Sequence, residues 1–118
     1  MQKIQKHLLY LEDDFSLFEN YLKVLSLYFD KVTHAPDGLA GLKAYQNDKF
    51  DLILTDIQMP LMDGMEFIDN IRQIDKEIPI YVYSSMSPSF LPKHLEITQF
   101  FQKPTGMSDF LKLFSNTL

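Results

Sequence analysis

Asp51-Leu52-Ile53-Leu54-Thr55-Asp56-Ile57-Gln58-Met59-Pro60-Leu61-Met62-Asp63-Gly64 decides the fold. Leu52 to Thr55 is an apolar, β-branched run of strand length, and Asp56 stands where it stops. Pro60 and the Asp63-Gly64 turn then close a short loop before the next helical pattern begins. In open α/β sheets the crevice outside the C-terminal tips of the strands is where ligands bind, so a carboxylate there is a candidate site residue.

Working outward, His7-Leu8-Leu9-Tyr10-Leu11 is a second continuous apolar run, the pattern of a strand buried on both faces. It ends abruptly at Glu12-Asp13-Asp14. Phe15, Phe18, Leu22, Leu25 and Phe29 recur at steps of three and four, one face of an amphipathic helix that Asp14 or Ser16 would cap. Lys31 to Ala35 reads as a short strand. Pro36-Asp37-Gly38 reads as a turn, with Asp37 capping a helix that carries Leu39, Leu42 and Tyr45.

On the other side of the opening stretch, Asp63 is placed to cap a helix, with Glu66 in capping-box position and Met65, Ile68 and Ile71 turned inward. Ile80-Tyr81-Val82-Tyr83-Ser84 is a fourth strand. Pro88 and Pro92 break the next segment, Ser85 to Thr98, so a short or irregular turn of helix is expected there. Gln99 to Gln102 is a fifth strand ending at Lys103-Pro104, and Met107, Phe110, Leu111 and Phe114 mark a last helix.

Strands alternating with helices imply βαβ units and a parallel sheet covered on both faces. Right-handed crossovers and five strands suit a flavodoxin-like (βα)5 three-layer sandwich of strand order 2-1-3-4-5, with a short or irregular fourth helix.

The 118 residues make one domain with a real core, 46% apolar, and no run approaches the length of a membrane span. The apolar run after the charged N-terminus is too short for a secretory signal, and the absence of cysteine fits a cytoplasmic protein. A net charge of −5 with no Lys/Arg cluster argues against a nucleic-acid surface on this chain.

On the expected frame, Glu12 and Asp13 end strand one, Asp56 strand three, Ser84 strand four and Lys103 strand five. In a parallel sheet these ends share one edge, so four chain-distant sites converge. Three carboxylates held close together repel one another, and a hard divalent cation relieves that repulsion. Oxygen-only ligands with room for water suit Mg²⁺. With Lys103 opposite, the set has what phosphoryl transfer to Asp56 requires: a carboxylate nucleophile, a metal, a lysine and a hydroxyl.

Taken singly, each residue has a plainer reading. Asp14 and Asp63 read as helix caps and Asp51 as a surface residue. Glu12 and Asp13 divide evenly between cap and metal site. Ser84 alone is a strand-end hydroxyl, Lys103 alone a solvated charge, and Phe100 core. His7 reads as strand-entry surface, while His34 and His94 are isolated, without metal-ligand spacing. No Gly-rich phosphate loop and no Gly-x-Ser-x-Gly elbow is present.

Leu8-Leu9-Tyr10-Leu11-Glu12-Asp13, Ala35-Pro36-Asp37-Gly38, Leu52 to Pro60, Asp63-Gly64, Ser84 and Lys103-Pro104, in this order and spacing, resemble the receiver domain of a two-component response regulator across nearly all of residues 1–118. The resemblance implies that Asp56 takes a phosphoryl group from a phosphohistidine on a sensor histidine kinase or histidine phosphotransfer protein. It implies Mg²⁺ bound by Asp13, Asp56 and the backbone carbonyl of Gln58, with Glu12 acting through water. Lys103 would contact one phosphoryl oxygen, Ser84 would swing to bind another, and Phe100 would turn inward with it. The Lys103-Pro104 bond would be cis. A downstream output domain or protein, and a homodimer on phosphorylation, are the readouts implied.

The chain departs from the family pattern between Ser84 and Lys103, where the segment is short and Glu96-Ile97 replaces a small Gly-Ala pair. Gln58 and Met86 stand at the positions that tune dephosphorylation in the family. Met86 offers no hydrogen bond to orient water, which implies a long-lived phosphoryl state. Two other readings compete. In a pseudo-receiver, an unphosphorylated interaction module, the full set of acceptor, metal, hydroxyl and lysine residues would have no use. A haloacid-dehalogenase-type hydrolase needs a second Asp two residues after the nucleophile, where this chain has Gln58.

Overall fold

Every apolar run of strand length becomes a strand of one parallel sheet, because each needs cover on both faces. The computed structural model describes all residues except Met1, Gln2 and Pro104. In chain order the elements are β1 (Ile4–Leu11), α1 (Phe15–Tyr28), β2 (Phe29–Ala35), α2 (Gly38–Asn47), β3 (Leu52–Thr55), α3 (Gly64–Ile74), β4 (Ile80–Ser84), β5 (Gln99–Gln102) and α4 (Met107–Asn116). The strand order is β2-β1-β3-β4-β5, all pairs parallel, as the sequence implies. Between β4 and β5 there is no α-helix. The segment has a single 3-10 turn at Pro88–Phe90, the irregular element that Pro88 and Pro92 foretell.

The two-residue period of the strands sorts side chains into two cores. Leu8, Tyr10, Leu52, Leu54, Tyr81, Tyr83 and Phe101 face one way and meet Tyr21 and Leu25 of α1 with Phe110 and Phe114 of α4. Leu9, Leu11, Ile53, Ile80 and Val82 face the other way and meet Phe67, Ile68 and Ile71 of α3. Met86, Leu91, Leu95 and Ile97 of the irregular segment cover the rest of that second core, in the place of a helix.

Several boundaries differ from the sequence reading. β1 begins at Ile4 rather than His7. Phe29, read as the end of the first helical stripe, instead opens β2 and is buried there against Phe114. The inward stripe of α1 is centred on Tyr21 and Leu25, which leaves Phe15 65% exposed at the rim, edge-on to Phe18. In α2 the inward stripe starts with glycines: Gly38 and Gly41 are buried, Leu42 and Tyr45 follow, and Leu39 is 41% exposed. The helix approaches Leu11 so closely at Gly41 that a methyl would lie 2.9 Å from the Leu11 Cγ. Periodicity counted on large side chains finds Leu42 and Tyr45 but misses the glycines that open the stripe.

Candidate functional site

The tips of β1, β3, β4 and β5 lie along one edge of the sheet, held in register by Leu11↔Thr55, Thr55↔Val82 and Ser84↔Gln102. Asp56 follows β3 directly, with its backbone N–H bonded to the Leu11 carbonyl at 3.1 Å. Its side chain is almost buried, and both oxygens are engaged. Oδ1 accepts the Ile57 amide at 2.6 Å and Oδ2 accepts Lys103 Nζ at 2.8 Å. Gly64 packs against the Asp56 carbonyl with no room for a methyl group, and its amide donates to Ile57 O at 2.7 Å. The Asp-Gly turn of the sequence is therefore also a close approach of backbone to backbone.

Lys103 also donates to Glu12 Oε1 at 2.6 Å, while Glu12 Oε2 accepts the Asp14 amide at 3.2 Å. Burial would lower the Lys103 pKa, but the hydrogen bonds to Asp56 and Glu12 outweigh it and hold the ammonium above its ordinary range. Burial pushes the Glu12 carboxyl up, reinforced by the Asp56 charge and opposed by Lys103. The Lys103–Glu12 pair joins residues 91 apart in sequence, and no local pattern announces it.

Glu12, Asp13 and Asp56 each present a carboxylate oxygen, all within 4.8 Å of one another. Three carboxylates against one ammonium leave the cluster with an excess of negative charge. An all-oxygen set with Asp13 open to solvent has the donor chemistry of a hard divalent cation that keeps water, which is what Mg²⁺ requires. Gln58 is exposed in the loop beyond Asp56, on the same side of the sheet as the strand tips.

The side chains of Ser84 and Phe100 are engaged elsewhere. Ser84 is fully buried: its Oγ accepts the Met86 amide at 3.2 Å, and its carbonyl accepts the Lys103 amide at 2.8 Å. Phe100 pairs with Val82 and is partly buried against the α3 side of the sheet. The cis peptide read for Lys103-Pro104 involves Pro104, which lies outside the described residues. The caps are as read: Asp14, Asp37 and Asp63 accept amides of Ser16, Ala40 and Glu66. Asp51 bonds the His7 amide at 2.8 Å.

Two features beside the site were not read from the sequence. Tyr83, next to Ser84, places its ring 5.3 Å from Lys103 Nζ, and its hydroxyl donates to Thr105 O at 3.0 Å and meets Tyr21 Oη at 2.8 Å. Leu61, in the β3–α3 loop, has φ 67° and is 79% exposed. A branched side chain in the left-handed region is disfavoured, and Pro60-Leu61-Met62 gives no glycine or asparagine to signal it.

A model of the response regulator receiver domain family matches residues 8–115. The transcriptional regulatory protein CseB of Streptomyces coelicolor is 33% identical over 85 residues, covering 72% of this chain and 36% of CseB. The chain thus spans about a third of the length of the curated relatives that head the comparison. Chemotaxis response regulator CheY4 of Vibrio cholerae superposes with a TM-score of 0.86 at 27% identity, covering 98% of this chain and 100% of that one. TrrA of Thermotoga maritima, solved in complex with Mg(2+)-BeF, superposes with a TM-score of 0.83 at 21% identity, covering 97% of this chain and all of its own. With the acidic edge and its lysine already in view, the match over residues 8–115 means that this chain belongs to the response regulator receiver domain family, the signalling-switch module of two-component systems.

Proposed function

We propose that Asp56 is the phosphoacceptor of a switch spanning residues 1–118, charged by a phosphohistidine on a sensor histidine kinase or histidine phosphotransfer protein. The observation that carries the reading is the bridge of Lys103 between Asp56 Oδ2 and Glu12 Oε1, which sets one buried ammonium against the carboxylate trio. An Asp56 oxygen attacks phosphorus, the P–N bond of the donor breaks, and the imidazole leaves with the bonding pair and takes a proton from solvent. Lys103, already within reach of Asp56, moves its contact from the carboxylate to a phosphoryl oxygen. The Ile57 amide holds the carboxylate in line throughout. Asp13, Asp56 and the Gln58 carbonyl would hold Mg²⁺, with Glu12 acting through water, and the ion would supply neutralising charge for the phosphoryl oxygens.

Phosphorylation then biases two arrangements of the surface. Ser84 gives up the Met86 amide to bind the phosphoryl group, and Phe100 turns inward behind it. Whether an output domain, a separate protein or a second copy reads the change, the readout runs through a surface without an α-helix between β4 and β5. Met86 provides no side-chain hydrogen bond to orient water, so the phosphoryl group is lost slowly. No described helix is long and apolar enough to cross a membrane, and we place the chain in the cytoplasm.

Intact-mass analysis after exposure to acetyl phosphate and Mg²⁺ tests the acceptor. One added phosphoryl group is expected in the wild type, and none in Asp56→Asn or with a chelator. An unmodified wild type would move the chain to the pseudo-receiver reading, and rapid spontaneous loss of the label would refute the long-lived state.

A further inference from the structure

We propose that His34 is a positioning residue for the acidic corner: its imidazole orients the peptide that joins Glu12 to Asp13. This inference rests on the reading of Glu12 and Asp13 as the metal end of the site. Glu12 N–H donates to Ala35 O at 3.1 Å, the last backbone rung between the first two strands. β2 ends at Ala35 and Pro36 follows. The Glu12 carbonyl is then met by a side chain, His34 Nε2, at 2.8 Å. A carbonyl only accepts, so Nε2 carries the proton.

The ring is fixed by its neighbours. It stacks on Phe18 of α1 with centroids 3.9 Å apart and planes at 22°, and Tyr10 lies tilted 5.7 Å away. One end of the imidazole is thus set by packing and the other by the carbonyl. That carbonyl belongs to the planar unit between Glu12 and Asp13, so holding it fixes the last backbone torsion of Glu12 and the first of Asp13. Glu12 has further anchors in Lys103 and the Asp14 amide. Asp13 is exposed, and its direction follows from the peptide it hangs on.

The consequence is an effect on metal affinity rather than on chemistry. Groups that orient metal ligands from behind typically change affinity by about 10–100-fold when removed. His34→Phe keeps an aromatic ring on Phe18 and removes the donor. His34→Gln returns an N–H of similar reach. Isothermal titration with Mg²⁺ should give a dissociation constant about tenfold weaker for His34→Phe, and His34→Gln should recover most of the loss. The rate of labelling by acetyl phosphate should fall at low Mg²⁺ and return toward wild type at saturating Mg²⁺. A residue that only fills space would alter melting temperature without this split.

Wild-type Mg²⁺ affinity in His34→Phe, or equal losses in the Phe and Gln variants, would overturn the inference. Nitrogen NMR of the wild-type imidazole tests it without any variant: Nε2 must be protonated, and a ring protonated at Nδ1 alone refutes the contact. A wild type that binds no Mg²⁺ would instead bring down the metal reading itself, and the inference with it.

Discussion

Lys103 Nζ lies 2.8 Å from Asp56 Oδ2, and the two side chains are each only 11% exposed. With Glu12 Oε1 at 2.6 Å on the same ammonium, a single lysine holds together the tips of β1 and β3. Removing one partner of a buried pair leaves the other charge uncompensated, at a cost of roughly 3–5 kcal/mol. Lys103→Met should therefore lower the melting temperature strongly in the absence of metal. Added Mg²⁺ should restore more stability to the variant than it adds to the wild type, because it then faces three carboxylates with no competing ammonium. Thermal unfolding with and without Mg²⁺ checks this, and equal metal-induced shifts in both proteins would contradict it.

Gly64 and Gly38 brace the acceptor loop from opposite ends. A methyl at Gly64 would collide with the Asp56 carbonyl and lie 2.8 Å from Ile57 Cα. At Gly38 it would collide with the Met62 carbonyl, the same oxygen that accepts the Gly38 amide at 2.9 Å. Overpacking costs about 1–3 kcal/mol, and here the obstacles are backbone atoms that cannot rotate away. Gly64→Ala and Gly38→Ala should each lose stability in that range by urea unfolding, and Gly64→Ala should also slow labelling of Asp56. Gly106, where a methyl meets nothing nearer than 4.0 Å, is the comparison: Gly106→Ala meets no clash and should cost less than either, its loss being only that of a glycine N-cap of α4.

The sheet and the acidic edge were legible because they depend on local runs. β4 has the bounds read from Ile80 to Ser84, since a strand buried throughout is a near-continuous apolar stretch, and the edge strand β5 has those read from Gln99 to Gln102, where Phe100 and Phe101 stand between polar ends. Helix faces were less legible. In α2 the helical period marks Leu42 and Tyr45 but takes exposed Leu39 for the start of a stripe that Gly38 and Gly41 open, and Phe29 kept the helical period by chance while belonging to the next strand. The topology brings Lys103 to the edge that holds Glu12 and Asp56, but which atoms meet there depends on side-chain and backbone geometry that no run of sequence encodes. Lys103 meets Glu12 across 91 residues, His34 reaches a backbone atom, and Leu61 adopts its φ of 67° without a residue type that favours it.

Tyr83 supports Lys103 from below. Its hydroxyl donates to Thr105 O at 3.0 Å and lies 2.8 Å from Tyr21 Oη, which itself reaches Thr105 O at 3.4 Å. Tyr83→Phe keeps the ring beneath the ammonium and deletes one node of this network. The cost should be about 1–2 kcal/mol, as for a buried hydrogen bond lost with its partner left behind. Tyr21→Phe removes the other node. The double variant should lose less than the sum of the two single variants, because the Tyr21–Tyr83 contact is counted in each. Strict additivity in chemical unfolding would mean the two phenols act independently.

Asp75, at the C-terminal end of α3, gives the fold a pH dependence that does not involve the acceptor edge. The Glu77 amide first, then the Tyr45 hydroxyl at 2.8 Å and the Ile78 amide, hold its carboxyl below the usual carboxylate range. A carboxylate whose folded pKa is depressed stabilises the fold fully above its unfolded pKa, about 3.9, and loses that contribution as pH falls through the lower folded value. In Asp75→Asn the amide oxygen can still accept from Glu77 and Ile78, but the group no longer titrates. The stability of the wild type should therefore fall more steeply than that of Asp75→Asn as pH drops below about 4. On the alkaline side Tyr45, pushed up to about 12 by burial and by its bond to Asp75, contributes stability that is complete below pH 10 and lost as pH rises through its folded value. Tyr45→Phe should flatten that limb and, by removing a donor to Asp75, also weaken the acid one. Parallel pH profiles for wild type and both variants would show that the Tyr45–Asp75 bond carries no linkage.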